Sequence, residues 1–227
     1  MRAAGLPPEP FWERADRFPN GLSEHFFAAV NLEHHISRGL HMSQSAANVH
    51  SVHFYGRDTT MIDRLCGVVC SGLLVGNAVL IVAIPEHRKR LVQCLERLGV
   101  GVRKHTREGK FSMIDAEELM ATFMVNDSPH PKLFLATVGT LIADAKKSAR
   151  SHEQALTVFG EMVALLWQEG NRSGALALEK LWNDLLNDRA FHLHCAYPQC
   201  LVENDDEGMR SITEVHSHVV DHSVMTV

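Results

Sequence analysis

The stretch GNAVLIVAIPEHRKRLVQCL, Gly76 to Leu95, decides the fold of this chain. Its apolar run, Val79 to Ala83, is typical of a strand that is buried on both faces. After a short turn, the spacing of the apolar residues from Glu86 onward predicts an amphipathic helix that ends at Gly99. A buried strand that passes directly into a helix indicates a parallel βαβ unit.

The same alternation of strand and helix continues along the chain from His50. Strands are predicted in HSVHFYG (50–56), NAVLIVAI (77–84), FSMIDA (111–116), ALTVFGEMV (155–163) and FHLHCAYP (191–198). Helices are predicted in TTMIDRLCGVVCSGLLVG (59–76, with a Thr cap), EHRKRLVQCLERLGV (86–100), EELMATFMV (117–125), KLFLATVGTLIADAKKSA (132–149), EMVALLWQEG (161–170), SGALALEKLWNDLLND (173–188, with Ser173 as cap) and MRSITEVHSHVV (209–220). This order predicts an α/β fold, a three-layer sandwich with a mainly parallel sheet.

The two ends of the chain differ from this domain, which we place at residues 46–222. Residues 1–45 form an N-terminal extension, in which the apolar spacing of GLSEHFFAAVNLEHHISRGL (21–40) predicts one amphipathic helix. Residues 223–227 are expected to be a flexible tail.

Composition limits the functional classes. A net charge of −5 with no basic patch argues against direct nucleic-acid binding. No apolar run is long enough for a membrane span, and prolines interrupt the N-terminus where a signal peptide would be apolar. We therefore expect a cytoplasmic protein with 5 cysteines as thiols and 15 histidines.

Ligands of open parallel sheets bind beyond the carboxyl ends of the strands. The residues that the sequence brings to this edge are Phe54, Tyr55, Glu86, His87, Asp115, Glu161, Cys195 and Tyr197. Several have simpler explanations: Glu86 suits any helix N-terminus, and Asp115 precedes a helix that it can cap. Glu161 lies between two apolar segments and therefore needs a polar partner, in a binding site or in a buried network.

Nucleotide chemistry is disfavoured by the turn at Ile84–His87. It lacks the GxxxxGK[ST] pattern that cradles phosphates, and the chain has no GxGxxG. Glu86 is expected to repel a triphosphate at a helix N-terminus that would otherwise attract it. No GxSxG elbow is present either, so no catalytic residues are assigned.

The candidate metal ligands in the sequence are those of HLHC (His192, His194 and Cys195) and HSH (His216 and His218). In a strand, His192 and His194 share one face while Cys195 points to the other. One segment then supplies at most two ligands, whereas structural zinc needs four. The sequence therefore predicts no metal and no cofactor.

Residues His50 to about Val220 resemble the MEDS domain, the methanogen/methylotroph sensory domain of the dichloromethane-responsive repressor. HSVHFY fits the HxxxFY signature of that family with His50, Phe54 and Tyr55, and GLLVGNAVLIVAIPEHRKRL is similar to its Pro-Glu-His segment. IDAEELM, FGEMVALLWQEGN, LEKLWNDL and FHLHCAYP follow in the same order. The resemblance implies a fold related to RecA/KaiC-type ATPases without their phosphate loop.

The resemblance also implies a role in sensing small hydrocarbon derivatives, and it adds His50 to the expected ligand site. We expect a non-enzymatic sensor that binds a small organic ligand and acts through a sensor histidine kinase or a transcription regulator, since the chain itself has no helix-turn-helix or kinase motif. A homo-oligomer is also compatible with the sequence. Two alternatives remain open: a nucleotide-binding or hydrolytic enzyme that uses the acidic and histidine residues of the edge, and an interaction module that acts through the N-terminal helix.

Overall fold

The computed structural model describes residues 48–149 and 156–220. Its main sheet has six strands: β1 (Val49–Tyr55), β2 (Ala78–Ala83), β3 (Phe111–Asp115), β6 (Leu156–Gly160), β7 (His192–Pro198) and β8 (His218–Val220). They lie in the order β3-β2-β6-β7-β1-β8, and every neighbouring pair is parallel. Two short antiparallel strands, β4 (Met124–Val125) and β5 (Ser128–Pro129), form a separate hairpin.

Helices cover both faces of the sheet. They are α1 (Asp58–Val75), α2 (Pro85–Arg97), α3 (Val102–Arg107), α4 (Ala116–Ala121), α5 (Pro131–Lys147), α6 (Met162–Gln168), α7 (Arg172–Asp188) and α8 (Asp206–Glu214), with a 3-10 turn at Gln199–Leu201. None of the helices in the described part of the chain is long and apolar enough to cross a membrane.

Strand β2 explains the three layers. All six of its residues are buried. Val79 and Ile81 pack into the core beneath α1 and α2, while Leu80 and Val82 pack into the core beneath α4 to α8. The predicted three-layer α/β fold with a parallel sheet is therefore confirmed. The predicted N-terminal helical extension and the tail at 223–227 lie outside the described residues.

Two predicted helix caps are wrong. Helix α1 begins at Asp58, before the threonines, and the preceding Arg57 makes no side-chain cap bond. Helix α7 is capped by Asn171 rather than Ser173, since the Asn171 side chain accepts a hydrogen bond from the Gly174 amide. The predicted end of α1 is confirmed: Gly76 has a φ of 88°, a left-handed conformation that glycine adopts at little cost.

The helix predicted at 117–125 is too long. Helix α4 ends at Ala121, and the next residues turn into the β4–β5 hairpin. Asn126 and Asp127 form its two-residue turn with φ values of 49° and 60°. Positive φ at both positions matches the twist of two antiparallel strands, and Asn and Asp tolerate it better than most residues.

The helix predicted at 209–220 is also too long, because α8 ends at Glu214 and β8 follows as a sixth strand. Ser217 explains this arrangement. Its hydroxyl accepts a hydrogen bond from the His50 amide at 2.9 Å, and its own amide donates to the His50 carbonyl at 2.8 Å. These bonds fix the segment beside the start of β1, where β8 pairs with Ser51 to His53.

Candidate functional site

The structure separates the nine predicted site residues into two groups. Tyr55, Glu86, His87, Asp115 and Glu161 lie at the carboxyl edge of the sheet, whereas His50, Phe54, Cys195 and Tyr197 lie on the face beneath α7. His50 is five residues before the end of β1, about 16 Å along the strand at 3.3 Å per residue. It therefore belongs to the sheet interior and not to the edge.

The edge site consists of Tyr55, Asp58, His87 and Glu161. Nδ1 of His87 lies 2.6 Å from Oε1 of Glu161, and both side chains are buried. Oε2 of Glu161 accepts a hydrogen bond from the Ile84 amide at 3.1 Å. On the other side, Nε2 of His87 lies 3.5 Å from Oδ2 of the half-exposed Asp58. A single imidazole thus stands between two carboxylates, one buried and one at the surface.

The carboxylates determine the protonation of this site. Burial alone lowers the pKa of His87, but the hydrogen bond and charge of Glu161, together with those of Asp58, outweigh it and raise the pKa above its usual value. Tyr55, which is buried at the end of β1, has its pKa raised by burial and by the charges of Glu161 and Asp58. The tyrosine therefore stays a neutral phenol beside His87 and Glu161.

The carboxylate that binds the backbone before α2 is Glu161, not Glu86 as the sequence suggested. The Glu86 side chain is 56% exposed and pairs with Arg90 one helical turn later, at 2.9 Å. Glu86 projects into solvent on the first turn of α2, whereas Glu161 reaches the Ile84 amide from the end of the neighbouring strand β6. Which of the two glutamates binds the Ile84 amide depends on the order of the strands in the sheet, and a local sequence pattern does not give that order.

Asp115 has the capping role that its position before a helix suggested. Its Oδ1 accepts hydrogen bonds from the amides of Glu117 and Glu118 at the start of α4, at 3.0 and 3.1 Å. Its Oδ2 accepts a hydrogen bond from Arg88 of α2 at 2.7 Å. Asp115 therefore caps one helix and links it to another at the rim of the edge.

The interior cluster consists of His50, Glu179, Cys195 and His216. Nε2 of His50 lies 3.4 Å from Sγ of Cys195 and 3.2 Å from Oε2 of Glu179. Sγ of Cys195 lies 3.7 Å from Oε2 of Glu179, and Nε2 of His216 lies 3.5 Å from Oε1 of the same residue. One atom from each of the four side chains lies within 4.8 Å of the others.

Neighbouring side chains orient this cluster. Nδ1 of His50 contacts Oδ1 of Asn183 at 2.9 Å, and Nδ1 of His216 contacts the Ile212 carbonyl at 2.6 Å. The hydroxyl of Tyr197 donates to Oε1 of Glu179 at 2.9 Å, and the ring of Phe54 packs 6.1 Å from that of Tyr197. Burial raises the pKa of the Tyr197 hydroxyl, and the charge of Glu179 raises it further.

Glu179 was missed by the sequence analysis. Its side chain is fully buried, whereas acidic residues of surface helices usually face solvent. Ala175, Glu179, Trp182 and Leu186 are spaced by three or four residues and share the buried side of α7. An acidic residue within such an apolar stripe is the signal that identifies it.

Comparison with protein families gives one result. The family described as MEDS, the methanogen/methylotroph, DcmR sensory domain, matches residues 49–217, about three quarters of the chain. The chain belongs to the MEDS family. The resemblance found in the sequence is therefore confirmed. No curated protein matches the chain.

Both groups of residues lie within the MEDS match, which begins one residue before His50 and ends one residue after His216. In this MEDS domain the edge site joins the N-termini of α1 and α2 through Asp58 and His87. The positive ends of helix dipoles usually attract anions. Here the chain supplies its own carboxylates, Asp58 and Glu161, at both ends.

Proposed function

We propose that this MEDS domain is a non-enzymatic sensor that binds a small organic ligand at the edge site. Through a partner, either a sensor histidine kinase or a transcription regulator, it would control a two-component pathway or transcription. The hydrogen bonds of Glu161 to His87 and to the Ile84 amide carry this proposal. They occupy the backbone donor at the start of α2 that a phosphate would otherwise use.

The charges of the edge site support a neutral or cationic ligand. Asp58 and Glu161 stand on either side of His87, and Tyr55 adds a phenol and an apolar ring. A small alcohol can exchange hydrogen bonds with the imidazole and the phenol, and a small ammonium ion can pair with Asp58. A carboxylate or phosphate would meet these two carboxylates, whose charges are balanced, in the described part of the chain, only by the partners that they already have, His87 and Arg90.

Ligand binding at the edge site could be transmitted to a partner through helices α1 and α2, which this site connects. Asp58 begins α1 and His87 lies in the first turn of α2, so a ligand between their side chains changes the spacing of the two helix N-termini. Such a change acts on a partner only if the ligand binds the two arrangements with different affinity. The contact of His87 with Asp58, at 3.5 Å, is the one that a ligand would replace.

Fluorotyrosine labelling tests the proposal, because the chain has two tyrosines. Tyr55 reports on the edge site and Tyr197 on the interior cluster, and a Tyr→Phe substitution at each position assigns the two fluorine signals. We expect methanol, methylammonium or dichloromethane to shift the Tyr55 signal saturably and to leave that of Tyr197 in place. His87→Gln should weaken this response, whereas Glu86→Gln, at an exposed residue of the same helix turn, should not.

The opposite charge preference would contradict the proposal. Formate or phosphate would then shift the Tyr55 signal while the neutral and cationic probes did not. A response to methylammonium that survived in His87→Gln and in Asp58→Asn would also remove the edge site from ligand binding.

A hydrolytic or nucleotide-binding enzyme is the second candidate. The imidazole of His87 between two carboxylates has the arrangement of a general base with an orienting acid. This candidate requires turnover of a substrate such as Mg-ATP that Glu161→Gln abolishes. The sensor proposal requires no turnover above that of buffer.

A further inference from the structure

We propose that the interior cluster binds one divalent metal ion of the zinc class. Its ligands are Nε2 of His50, a carboxylate oxygen of Glu179, Sγ of Cys195 and Nε2 of His216. This site is separate from the edge site, and it does not depend on the sensor function proposed above. It also departs from the expectation of no metal, because the four ligands come from β1, α7, β7 and the segment after α8 rather than from one sequence motif.

The distances within the cluster fit a tetrahedral site. Zinc binds nitrogen, oxygen and sulfur at about 2.0 to 2.3 Å, so ligand atoms at the corners of a tetrahedron lie about 3.3 to 3.8 Å apart. His50, Glu179 and Cys195 have mutual separations of 3.2, 3.4 and 3.7 Å. The fourth ligand atom, Nε2 of His216, lies 3.5 Å from Oε1, the other oxygen of the Glu179 carboxylate, and one atom from each of the four residues lies within 4.8 Å of the others. Small side-chain movements would bring all four atoms to one centre.

Both histidines turn the correct nitrogen towards the centre. Oδ1 of Asn183 and the Ile212 carbonyl can only accept hydrogen bonds, so Nδ1 carries the proton in His50 and in His216. Asn183 is itself fixed, because its amide nitrogen donates to the Val215 carbonyl. Each neutral ring then presents the lone pair of Nε2 to the cluster. Histidine ligands of metals are typically held in this way by a second hydrogen bond.

His216 provides a second, independent indication of a bound ion. Its side chain has no exposed surface, yet within the described residues its Nε2 forms no hydrogen bond. A buried nitrogen without a hydrogen bond costs free energy comparable to a lost hydrogen bond, and the 3.5 Å contact of this nitrogen with Glu179 is an ion pair only if the imidazole is protonated. If the four side chains form only a hydrogen-bonded network, Nε2 of His216 stays without a hydrogen bond and the free-energy cost remains. A metal–nitrogen bond to Nε2 would remove this cost.

The charges of the cluster favour a divalent ion. Glu179 is completely buried, and the described ion pairs connect it to histidines and not to lysine or arginine. A dication bound to the Glu179 carboxylate and to a Cys195 thiolate gives a neutral site, with the thiol proton released to solvent. Neutrality is what a site without water contact requires. The mixed nitrogen, sulfur and oxygen ligands suit zinc better than magnesium or calcium.

The test is a titration of the chelator-treated full chain with Co²⁺ and then Zn²⁺. We expect one equivalent of Co²⁺ to produce tetrahedral visible bands and a thiolate-to-cobalt charge-transfer band, and Zn²⁺ to displace it. His216→Gln should weaken binding at least about tenfold. Cys195→Ser should in addition lose the charge-transfer band. Cys70→Ser, at another buried thiol, is the matched control and should behave as wild type.

Circular dichroism of each variant separates loss of a ligand from loss of the fold. If Cys195→Ser does not fold, the thiolate-to-cobalt band of the wild type still tests the site, as does the at least about tenfold higher Co²⁺ concentration needed for the same band in folded His216→Gln. The proposal is overturned if the folded wild type binds less than one equivalent, or if folded Cys195→Ser keeps the charge-transfer band. In fluorotyrosine-labelled protein, Zn²⁺ should shift the Tyr197 signal and leave Tyr55 in place, so failure of this site and failure of the edge site give different results.

Discussion

Nδ1 of His87 lies 2.6 Å from Oε1 of Glu161, and this contact connects the first turn of α2 with the end of β6. The two residues are 74 positions apart in the chain and meet because β2 and β6 are neighbours in the sheet. Glu161 also accepts a hydrogen bond from the Ile84 amide, so one carboxylate is the hydrogen-bond partner of both a buried imidazole and a backbone N–H. This arrangement should have measurable consequences for stability and for ligand choice.

The His87–Glu161 pair should make stability depend on pH. Because the pKa of His87 is raised on folding, the stabilisation is complete below the unfolded value of about 6.5 and is lost as the pH rises through the folded value. The difference in free energy of unfolding between wild type and His87→Gln should be about 1.5 to 3 kcal/mol near pH 6, the range of hydrogen bonds to charged groups. This difference should be smaller near pH 9. Urea unfolding of both proteins at the two pH values measures the difference.

The control for this prediction is Glu86→Gln. Glu86 forms an exposed pair with Arg90 at the surface, so Glu86→Gln should have a small effect that is the same at both pH values. The groups that face His87 are Glu161 and Asp58, and Arg90 in turn contacts Asp58. A His87→Gln difference that stayed constant or grew towards pH 9 would show that the imidazole is not charged in the folded state.

Asp115 should contribute more stability than its exposed neighbours. Asp115→Ala removes the cap of α4 and the partner of Arg88, and we expect a loss of about 1 to 3 kcal/mol. Asp115→Asn keeps the cap acceptor and should lose less. Glu86→Ala, which breaks a surface pair, should lose under about 0.5 kcal/mol. Equal losses for Asp115→Ala and Glu86→Ala in urea unfolding would refute the capping role.

The β4–β5 turn offers a stabilising substitution. Asp127 has a φ of 60°, and an Asn-Gly sequence is preferred in turns with two positive φ values. We expect Asp127→Gly to raise the free energy of unfolding by about 0.5 to 1 kcal/mol. Ser128→Gly, in the adjacent strand where φ is not positive, should lower it. A loss in Asp127→Gly similar to that in Ser128→Gly would mean that this turn does not form as described.

The parts of the fold that could be predicted are those with long periodic patterns. Strand β2 and helices α1, α2, α5 and α7 each repeat their apolar signal often enough to identify the element. Strand β8 has three residues, too few to show an alternation of two, and Ser217 fixes it through contacts with a distant strand. Strand β4 was predicted as the end of the helix at 117–125, because Met124 and Val125 continue the apolar spacing of α4.

The edge site could be predicted in part. Tyr55 ends β1, and His87 and Glu161 follow β2 and β6, so the strand pattern places all three at one edge. The pattern does not show that Glu161 contacts the Ile84 amide, because that contact depends on the order of the strands. Asp58 was missed, because its contact with His87 depends on how α1 packs against α2. His50 and Cys195 share a strand pair with edge residues, but their positions within β1 and β7 place them in the interior. Phe54 and Tyr197 lie near the carboxyl ends, but their side chains are on the face opposite to that of Tyr55, so the face of the sheet together with the position along the strand decides between the two groups.

The most direct test of the central claim is an amide NMR titration of the full chain with Mg-ATP, observed at Ile84. Our account predicts that the Ile84 signal stays in place at every concentration, because its amide donates to Glu161 and carboxylates stand at both helix N-termini of the edge site. Methylammonium should shift signals around His87 in the same protein. A saturable shift of Ile84 with Mg-ATP, at a concentration where methylammonium has no effect, would contradict the account.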